Sequence, residues 1–168
     1  MDLFRAGWYL IYAKPRHEKK LHARLSEMNI NSYLPTRKTL RTWHDRKKYI
    51  DEPLFPSYVF IYLKDMQSYY GGMAADGFLY YVKTGKEVAR VSEAVVDNIK
   101  LIVEYGNDIE VSGERFLPGQ RLVISQGALT GLSCEVVSFN SKQKLLVRLD
   151  LLKRNLLLTL PETYLMAV

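Results

Sequence analysis

The sequence predicts an α+β fold, in which a ferredoxin-like antiparallel sheet with helices is followed by a small β-barrel. Up to residue 106, strand-like and helix-like segments follow one another in a βαββαβ-like order with a final helix. This order usually gives an antiparallel sheet with helices on one face. Residues 107–118 are poor in apolar side chains, and residues 119–168 hold short strand-like runs separated by turn residues. We therefore expect one domain at 1–106, a linker at 107–118 and a second domain at 119–168.

The composition is that of an ordinary soluble protein of 168 residues, with 48% hydrophobic and 25% charged residues. Its formal net charge of +6 is distributed unevenly. Residues 1–50 hold 12 Lys and Arg against 4 Asp and Glu, a balance of +8, whereas residues 51–118 hold 6 against 11, a balance of −5. An anionic partner is therefore expected at the N-terminal part, although a basic excess is also common on a solvated surface.

Membrane insertion, secretion, metal binding and catalysis are all disfavoured. The chain starts without a signal-peptide pattern, and no apolar run reaches the roughly 18 residues of a membrane span, so we expect a cytoplasmic protein. The single cysteine, Cys134, excludes an internal disulfide, and with only His17, His22 and His44 it offers no zinc-ligand spacing. We expect Cys134 to be a small buried thiol, because a nucleophile would need a histidine base and all three histidines lie far away in sequence. No enzyme and no cofactor are implied.

The first strand is predicted at 8–13, a β-rich run that ends just before a proline. A helix follows over 15–29, because Leu21, Leu25 and Met28 recur at spacings of four and three. The other faces of this helix are basic and carry Arg16, Lys19, Lys20 and Arg24.

A long hairpin with a basic tip is predicted next. Residues 32–35 open an extended segment, and the polar, basic stretch 41–48 precedes a return to the sheet at Tyr49. Trp43 lies among cations in this stretch and could stack on a nucleic-acid base, but a mobile hairpin tip is an equal alternative.

The central strand is predicted at 58–63, after a segment whose entry is fixed by Pro53 and Pro56. Alternation along this strand places Val59, Ile61 and Leu63 on one face and Tyr58, Phe60 and Tyr62 on the other. Neither face is plainly polar. One face is therefore expected to be core and the other a binding surface.

A short helix is expected after the central strand. Asp65 can cap its start, and it should end at Tyr70 because Gly71 and Gly72 raise the entropy cost of helix. Strands at 78–82 and 87–91 should follow this helix.

The last element of the first domain is predicted as a helix that begins after Ser92. Its apolar stripe includes Val95, Ile99 and Ile102, and it should close at Gly106.

The second domain carries two conflicting patterns. Strand-like runs at 121–125, 134–138 and 144–149 are separated by turn residues, which favours a small barrel. Leucines at spacings of four, three and four favour a helix instead, and they are Leu145, Leu149, Leu152 and Leu156. We expect the barrel, because Gly127, Gly131 and Asn140 stand at turn positions that two helices would not need.

Three motifs make the sequence similar to a known family. Trp8-Tyr9-x-x-Tyr12 and Glu52-Pro-Leu-Phe-Pro56 resemble the NGN domain of NusG-like transcription elongation factors, which include the RfaH-like antiterminators. The stretch 119–131 resembles a KOW motif of an SH3-like barrel, whose turn glycines would be Gly119, Gly127 and Gly131. Cys134 departs from that motif, which commonly has glycine there. The basic hairpin is more similar to the specialised RfaH-like and UpxY-like paralogues than to the general factor.

The resemblance implies a polymerase-binding surface on the first domain. The residues that would contact the clamp helices of RNA polymerase are Tyr12, Glu52, Phe55, Tyr58 and Phe60. The alternative is that these residues fill the core of the sheet. A weaker match, of position only, places a contact with the polymerase lobe opposite the clamp at Ser68, Tyr69 and Tyr70. Some RfaH-like relatives cover the clamp-binding surface with a C-terminal helical hairpin, which the leucine pattern leaves open.

The resemblance also implies contact with the exposed non-template DNA strand at the start of the first helix. The residues in this position are Lys14, Arg16, His17, Lys20 and Arg24. Cationic side chains and free backbone donors at a helix start favour phosphate oxygens. A solvated helix face is the alternative.

The function that the resemblance implies is regulation of bacterial transcription elongation by binding, without catalysis. A monomer of this kind would bind RNA polymerase and reduce pausing and termination at particular operons, while the KOW domain recruits a ribosomal protein or Rho. The alternative is an RNA-binding, ribosome-associated KOW protein, since KOW barrels also occur in ribosomal proteins.

Overall fold

A computed structural model describes residues 4–106, 108–124 and 129–159. The chain divides into two compact units that meet between Glu93 and Ala94. The sequence predicts that the first domain ends at Gly106 instead. The position at which two independently folding domains separate remains a prediction.

The first unit contains nine short strands and two helices among its described residues. The strands are β1 (Gly7–Ala13), β2 (Ser32–Tyr33), β3 (Thr36–Thr42), β4 (Lys47–Pro53), β5 (Tyr58–Leu63), β6 (Phe78–Tyr81), β7 (Lys83–Thr84), β8 (Glu87–Val88) and β9 (Arg90–Val91). The helices are α1 (Glu18–Glu27) and α2 (Met66–Ala74). The main sheet is antiparallel with the order β2-β5-β1-β6, and β9 also pairs with β1. This is the predicted ferredoxin-like arrangement, because β1, α1, β2, β5, α2 and β6 follow each other as βαββαβ.

The core of this unit lies between the sheet and the helices. Every second residue of β5 faces it, so Val59, Ile61 and Leu63 are fully buried. They belong to one apolar cluster with Leu21 and Leu25 of α1, which are also fully buried. The predicted core face of the central strand and apolar stripe of the first helix therefore meet.

Helix α2 corrects one prediction, because it does not stop at Tyr70 but continues through Gly71 and Gly72 to Ala74. A Cβ on Gly72 would collide with the Tyr81 hydroxyl, and one on Gly71 would lie 2.7 Å from Ile30 Cδ1. The two glycines thus let the helix approach its neighbours closely. Packing outweighs the propensity cost of glycine, which is about 1 kcal/mol per residue.

The second unit is mainly β-structure. Helix α3 (Glu93–Tyr105) begins at the junction of the units and closes, as predicted, with a hydrogen bond from Gly106 N to Ile102 O of 2.7 Å. The strands are β10 (Glu110–Ser112), β11 (Gln120–Val123), β12 (Ser133–Phe139), β13 (Lys142–Leu149) and β14 (Arg154–Thr159). They form an antiparallel sheet in the order β10-β14-β13-β12-β11, the KOW-like part of the fold.

Strand β10 lies within the segment that the sequence assigns to the linker. Glu110 pairs with Leu157, and beyond the strand the Asn155 side chain donates to the Glu114 carbonyl at 2.9 Å. Residues 110–112 are therefore part of the second unit's sheet. The low apolar content of this segment did not indicate a strand, because β10 is held in the sheet by backbone hydrogen bonds to β14.

The conflict between helix and strand in the second unit is resolved in favour of strands. Leu145 and Leu149 lie in β13 and Leu156 lies in β14, where Leu145 faces Leu158 across the ladder. Leu152 lies in a 3-10 turn. Leu145, Leu149 and Leu156 share one buried face of these two strands, and with Leu152 in the turn between them they produced the helix-like spacing.

Two of the predicted turn residues take turn conformations, since φ is 93° at Gly131 and 51° at Asn140. Gly119 serves a different purpose, because a Cβ there would collide with the Val136 carbonyl of the neighbouring strand. Gly127 lies outside the described residues.

Candidate functional site

Three tyrosines form a ladder across three adjacent strands of the first unit. Tyr12 on β1 lies directly opposite Tyr58 on β5 and opposite Tyr80 on β6. The Tyr12 ring stacks on the Tyr80 ring at a centroid distance of 5.0 Å and meets the Tyr58 ring edge-on at 5.3 Å. Tyr80 is 53% exposed, and Tyr12 and Tyr58 are half-buried. We call Tyr12, Tyr58 and Tyr80 the aromatic ladder.

Tyr80 was missed by the sequence interpretation. The motif resemblance pointed to Tyr12 and Tyr58, but Tyr80 joins them only because β6 pairs with β1. A ferredoxin-like strand order places the last strand beside the first, so the predicted fold class could have indicated that Tyr80 lies next to Tyr12.

Phe55 and Phe60 do not share the exposure of the ladder. They are only 3% and 2% exposed. Phe60 lies opposite Leu10 in the sheet, and its ring centroid is 6.2 Å from that of Tyr33. For these two residues the structure supports the alternative, in which they fill the core.

Glu52, the remaining candidate for the clamp contact, already has a cationic partner. The Arg41 guanidinium donates to Glu52 Oε1 from Nε at 2.8 Å and also from Nη2. The hydrogen bond from Arg41 lowers the pKa of Glu52. A cation of a partner protein would therefore have to compete with Arg41.

A buried carboxylate positions the turn that leads into β5. Glu18 Oε1 accepts a hydrogen bond of 2.9 Å from the backbone N–H of Ser57. The Ser57 carbonyl in turn accepts from Ala13 N at 2.7 Å. Ser57 has a φ of 72° in this turn, and its two hydrogen bonds connect the turn to both β1 and α1. Glu18 thus helps to hold Tyr58 opposite Tyr12. The sequence interpretation missed this residue, although it stands out as a lone acidic residue in a basic segment.

The three candidates for the lobe contact have different environments. Ser68 is buried and completes a capping box, in which Ser68 N donates to Asp65 Oδ1 at 2.8 Å. Tyr69 stacks on Tyr81 at 4.7 Å, and its carbonyl accepts the Tyr81 hydroxyl at 2.6 Å. Tyr70 is 61% exposed. Tyr70 is therefore the most exposed of the three.

The basic candidates surround the start of α1, which begins at Glu18 and not at Pro15. Lys14 and Arg16 lie in the connection before the helix, and both are exposed. His17 is half-buried, and its Nδ1 lies 2.9 Å from the Pro15 carbonyl.

Lys20 and Arg24 follow one turn apart on the helix itself, and both are exposed. Arg24 also pairs with Glu27 at 3.0 Å. Lys14, Arg16 and Lys20 are therefore better placed than His17 or Arg24 to bind an anion.

Cys134 has the environment of a structural thiol. It is 5% exposed, and burial raises its pKa to about 11. A thiolate is therefore disfavoured at neutral pH. Across the described parts of the chain, no three His, Cys, Asp or Glu side chains are grouped so that they could hold a metal ion. The described helices include none that is long and apolar enough to cross a membrane.

The fold combines a ferredoxin-like unit, which carries the aromatic ladder, with a KOW-like unit. The sequence model of the family described as "Transcription termination factor nusG" matches residues 6–100, more than half of the chain. The protein therefore belongs to the NusG family and is a transcription elongation or termination factor.

A solved structure titled "Domain interaction in Thermotoga maritima NusG" is similar to this chain, with a TM-score of 0.53 and 17% sequence identity. The match covers 92% of this chain and 94% of that chain. At this identity it supports the fold, which agrees with the predicted α+β class.

Proposed function

We propose that this protein binds the clamp helices of RNA polymerase during elongation and reduces pausing and termination at particular operons. The observation that carries the proposal is the aromatic ladder. Three tyrosine rings lie at one level across three strands, with 53% of Tyr80 exposed. Tyrosines combine a large apolar ring with a polar tip, which suits an interface that is buried only on binding.

The proposed contact differs from the set that the family resemblance implied. Tyr12, Tyr58 and Tyr80 would contact the clamp, while Phe55 and Phe60 support them from the core. Tyr70 is the candidate for the opposite lobe. A protein that bridges clamp and lobe would oppose opening of the clamp, and this accounts for reduced pausing.

The same protein is proposed to contact the non-template DNA strand through Lys14, Arg16 and Lys20. All three side chains are exposed, and the segment before α1 brings Lys14 and Arg16 next to the helix start. The KOW-like unit is proposed to recruit a second protein, either a ribosomal protein or Rho.

Alanine variants of the ladder test the clamp contact. Tyr12→Ala and Tyr58→Ala should each lower affinity for a clamp-helix fragment by about 2 kcal/mol, roughly thirtyfold, because aromatic anchors dominate interface energy. Affinity is measured by titration calorimetry on proteins shown to be folded by circular dichroism. Tyr105→Ala is the matched control, since Tyr105 is 48% exposed on α3.

Two results would contradict the clamp proposal. One is unchanged affinity in folded Tyr12→Ala and Tyr58→Ala proteins. The other is copurification of the parent protein with ribosomal subunits but not with RNA polymerase, which would favour the ribosome-associated alternative.

The DNA contact is tested separately by salt dependence. Arg16→Ala combined with Lys20→Ala should flatten the log-log dependence of elongation-complex binding on salt by about 0.7 for each phosphate that the variant no longer neutralises. Lys83→Ala with Lys86→Ala removes the same charge from an exposed turn and should leave the slope unchanged. An equal slope for the parent and the Arg16, Lys20 variant would assign these residues to a solvated face.

A further inference from the structure

Strands β3 and β4 form a two-stranded ribbon that pairs, within the described residues, with no other strand. Seven residue pairs hold it together, from Thr36 with Pro53 to Thr42 with Lys47. Residues 40–49 are all exposed. A two-stranded hairpin gains little stability by itself in water. Most of the side chains of this ribbon therefore bury no core and are open to a ligand.

The ribbon is basic. Between residues 36 and 53 it holds six cationic side chains against Asp45, Asp51 and Glu52. The six are Arg37, Lys38, Arg41, Arg46, Lys47 and Lys48. They make up half of the 12 Lys and Arg in residues 1–50, so the charge asymmetry of the sequence is concentrated here.

The two faces of the ribbon differ. Residues directly opposite each other in an antiparallel pair point to the same side. One face carries Arg37, Arg41 and Lys48 together with Glu52, which forms the ion pair with Arg41 described above, and this face has no aromatic ring. The other face carries the pairs Lys38 with Asp51, Leu40 with Tyr49, and Thr42 with Lys47. We call this second set the aromatic face.

The aromatic face presents a ring between cations. Tyr49 is 66% exposed and Leu40 beside it is 47% exposed. Lys38 and Lys47 take part in no ion pair with other described residues. An exposed ring flanked by unpaired cations is the arrangement that binds a base together with its phosphates.

The tip of the ribbon repeats this pattern. A hydrogen bond of 2.7 Å from Trp43 N to Arg46 O closes the turn. The Arg46 guanidinium lies 5.6 Å from the centre of the Trp43 ring, and Trp43 is 44% exposed. A second ring with an adjacent cation is thus held at the end of the ribbon.

We propose that the aromatic face and the tip bind single-stranded nucleic acid. Exposed rings distinguish this ligand from a duplex, because bases offer their flat faces only when they are unpaired. The site lies on elements other than the start of α1. It also requires no polymerase, so it can be tested on the free protein.

The first experiment measures binding of the full-length protein to a fluorescent single-stranded oligothymidine by anisotropy. Tyr49→Val keeps a strand-forming residue but removes the ring, and it should weaken binding between about fivefold and about a hundredfold. Tyr49→Phe keeps the ring and should bind like the parent. Weakening by Tyr49→Phe equal to that by Tyr49→Val would overturn stacking as the basis of binding.

The second experiment uses two adjacent lysines on opposite faces. Lys47→Gln should lower the salt slope by about 0.7, whereas Lys48→Gln on the other face should change it less. Equal effects of the two variants would indicate general attraction to a polyanion and overturn the assignment to one face. Equal affinity for a duplex of the same length would overturn the preference for single strands. Full affinity in both Tyr49→Val and Lys47→Gln would also overturn the proposal, because the oligonucleotide would then bind elsewhere on the protein.

Discussion

Glu135 and Arg148 form an ion pair that also holds the chain before β11. Arg148 Nε donates to Glu135 Oε2 at 2.6 Å, and Arg148 Nη2 donates to the carbonyl of Phe116 at 3.1 Å and to that of Leu117 at 3.2 Å. Gly119 N donates to Glu135 Oε1 at 3.0 Å. Two charged side chains thus fix a segment that the sequence describes as linker.

Removal of Arg148 should destabilise the second unit. Arg148→Met leaves the Glu135 carboxylate without its cation, and we expect a loss of about 2 kcal/mol in the free energy of unfolding. The loss is smaller than the about 3–5 kcal/mol typical of fully buried pairs, because Arg148 is 29% exposed. Arg154→Met is the control, since among the described residues the Arg154 side chain donates only to the neighbouring Lys153 carbonyl at 3.0 Å. Equal urea midpoints for the two variants would contradict the prediction.

The ion pair between Glu135 and Arg148 also makes the free energy of unfolding depend on pH. The hydrogen bond from Arg148 lowers the pKa of Glu135 from its ordinary value of 4.5. A lowered folded pKa contributes stability above 4.5 that is lost as the pH falls through the folded value. The difference in unfolding free energy between the parent and Arg148→Met should therefore narrow in acid. Urea titrations at neutral pH and well below 4.5 measure it, and a constant difference would show that the charge of Glu135 contributes nothing.

At the scale of elements, the paired glycines of α2 allow a sharp comparison. Gly72→Ala should destabilise the protein by about 1–3 kcal/mol, because the new Cβ displaces the Tyr81 hydroxyl from the Tyr69 carbonyl. Gly71→Ala meets the flexible ends of Ile30 and Met28, so the gain in helix propensity should offset its cost. Thermal unfolding followed by circular dichroism measures both. If Gly71→Ala destabilised the protein as much as Gly72→Ala, the predicted difference between the two positions would be wrong.

Part of the element order could be read from the sequence. The N-cap of α2 at Asp65, the close of α3 at Gly106 and the strand character of 58–63 depend on neighbours within a few residues, and they are confirmed. The predicted end of α2 at Tyr70 was wrong, because the glycines that follow pack on Ile30 and Tyr81, which are distant along the chain.

For the whole molecule, the state of the second unit is the feature that most affects function. If helices formed there, they could cover the surface around Tyr58, whereas the structure has strands. In solution we expect cross-strand nuclear Overhauser effects between Leu146 and Leu157 and between Val147 and Leu156, which are paired in the ladder. Medium-range nuclear Overhauser effects typical of a helix over residues 144–158 in the intact chain would contradict this expectation. The free protein would then need a release step before it binds polymerase.

The sequence by itself determined the fold class, the basic ribbon and two of the three ladder tyrosines, Tyr12 and Tyr58. These features follow from alternation, turn chemistry and motif resemblance, all of which are local along the chain. The tertiary structure decided that Tyr58 is half-buried while Phe60, on the same face of β5, is core. It also added Tyr80 to the ladder. Exposure depends on what covers a side chain, and strand pairing and packing join residues that are far apart in sequence.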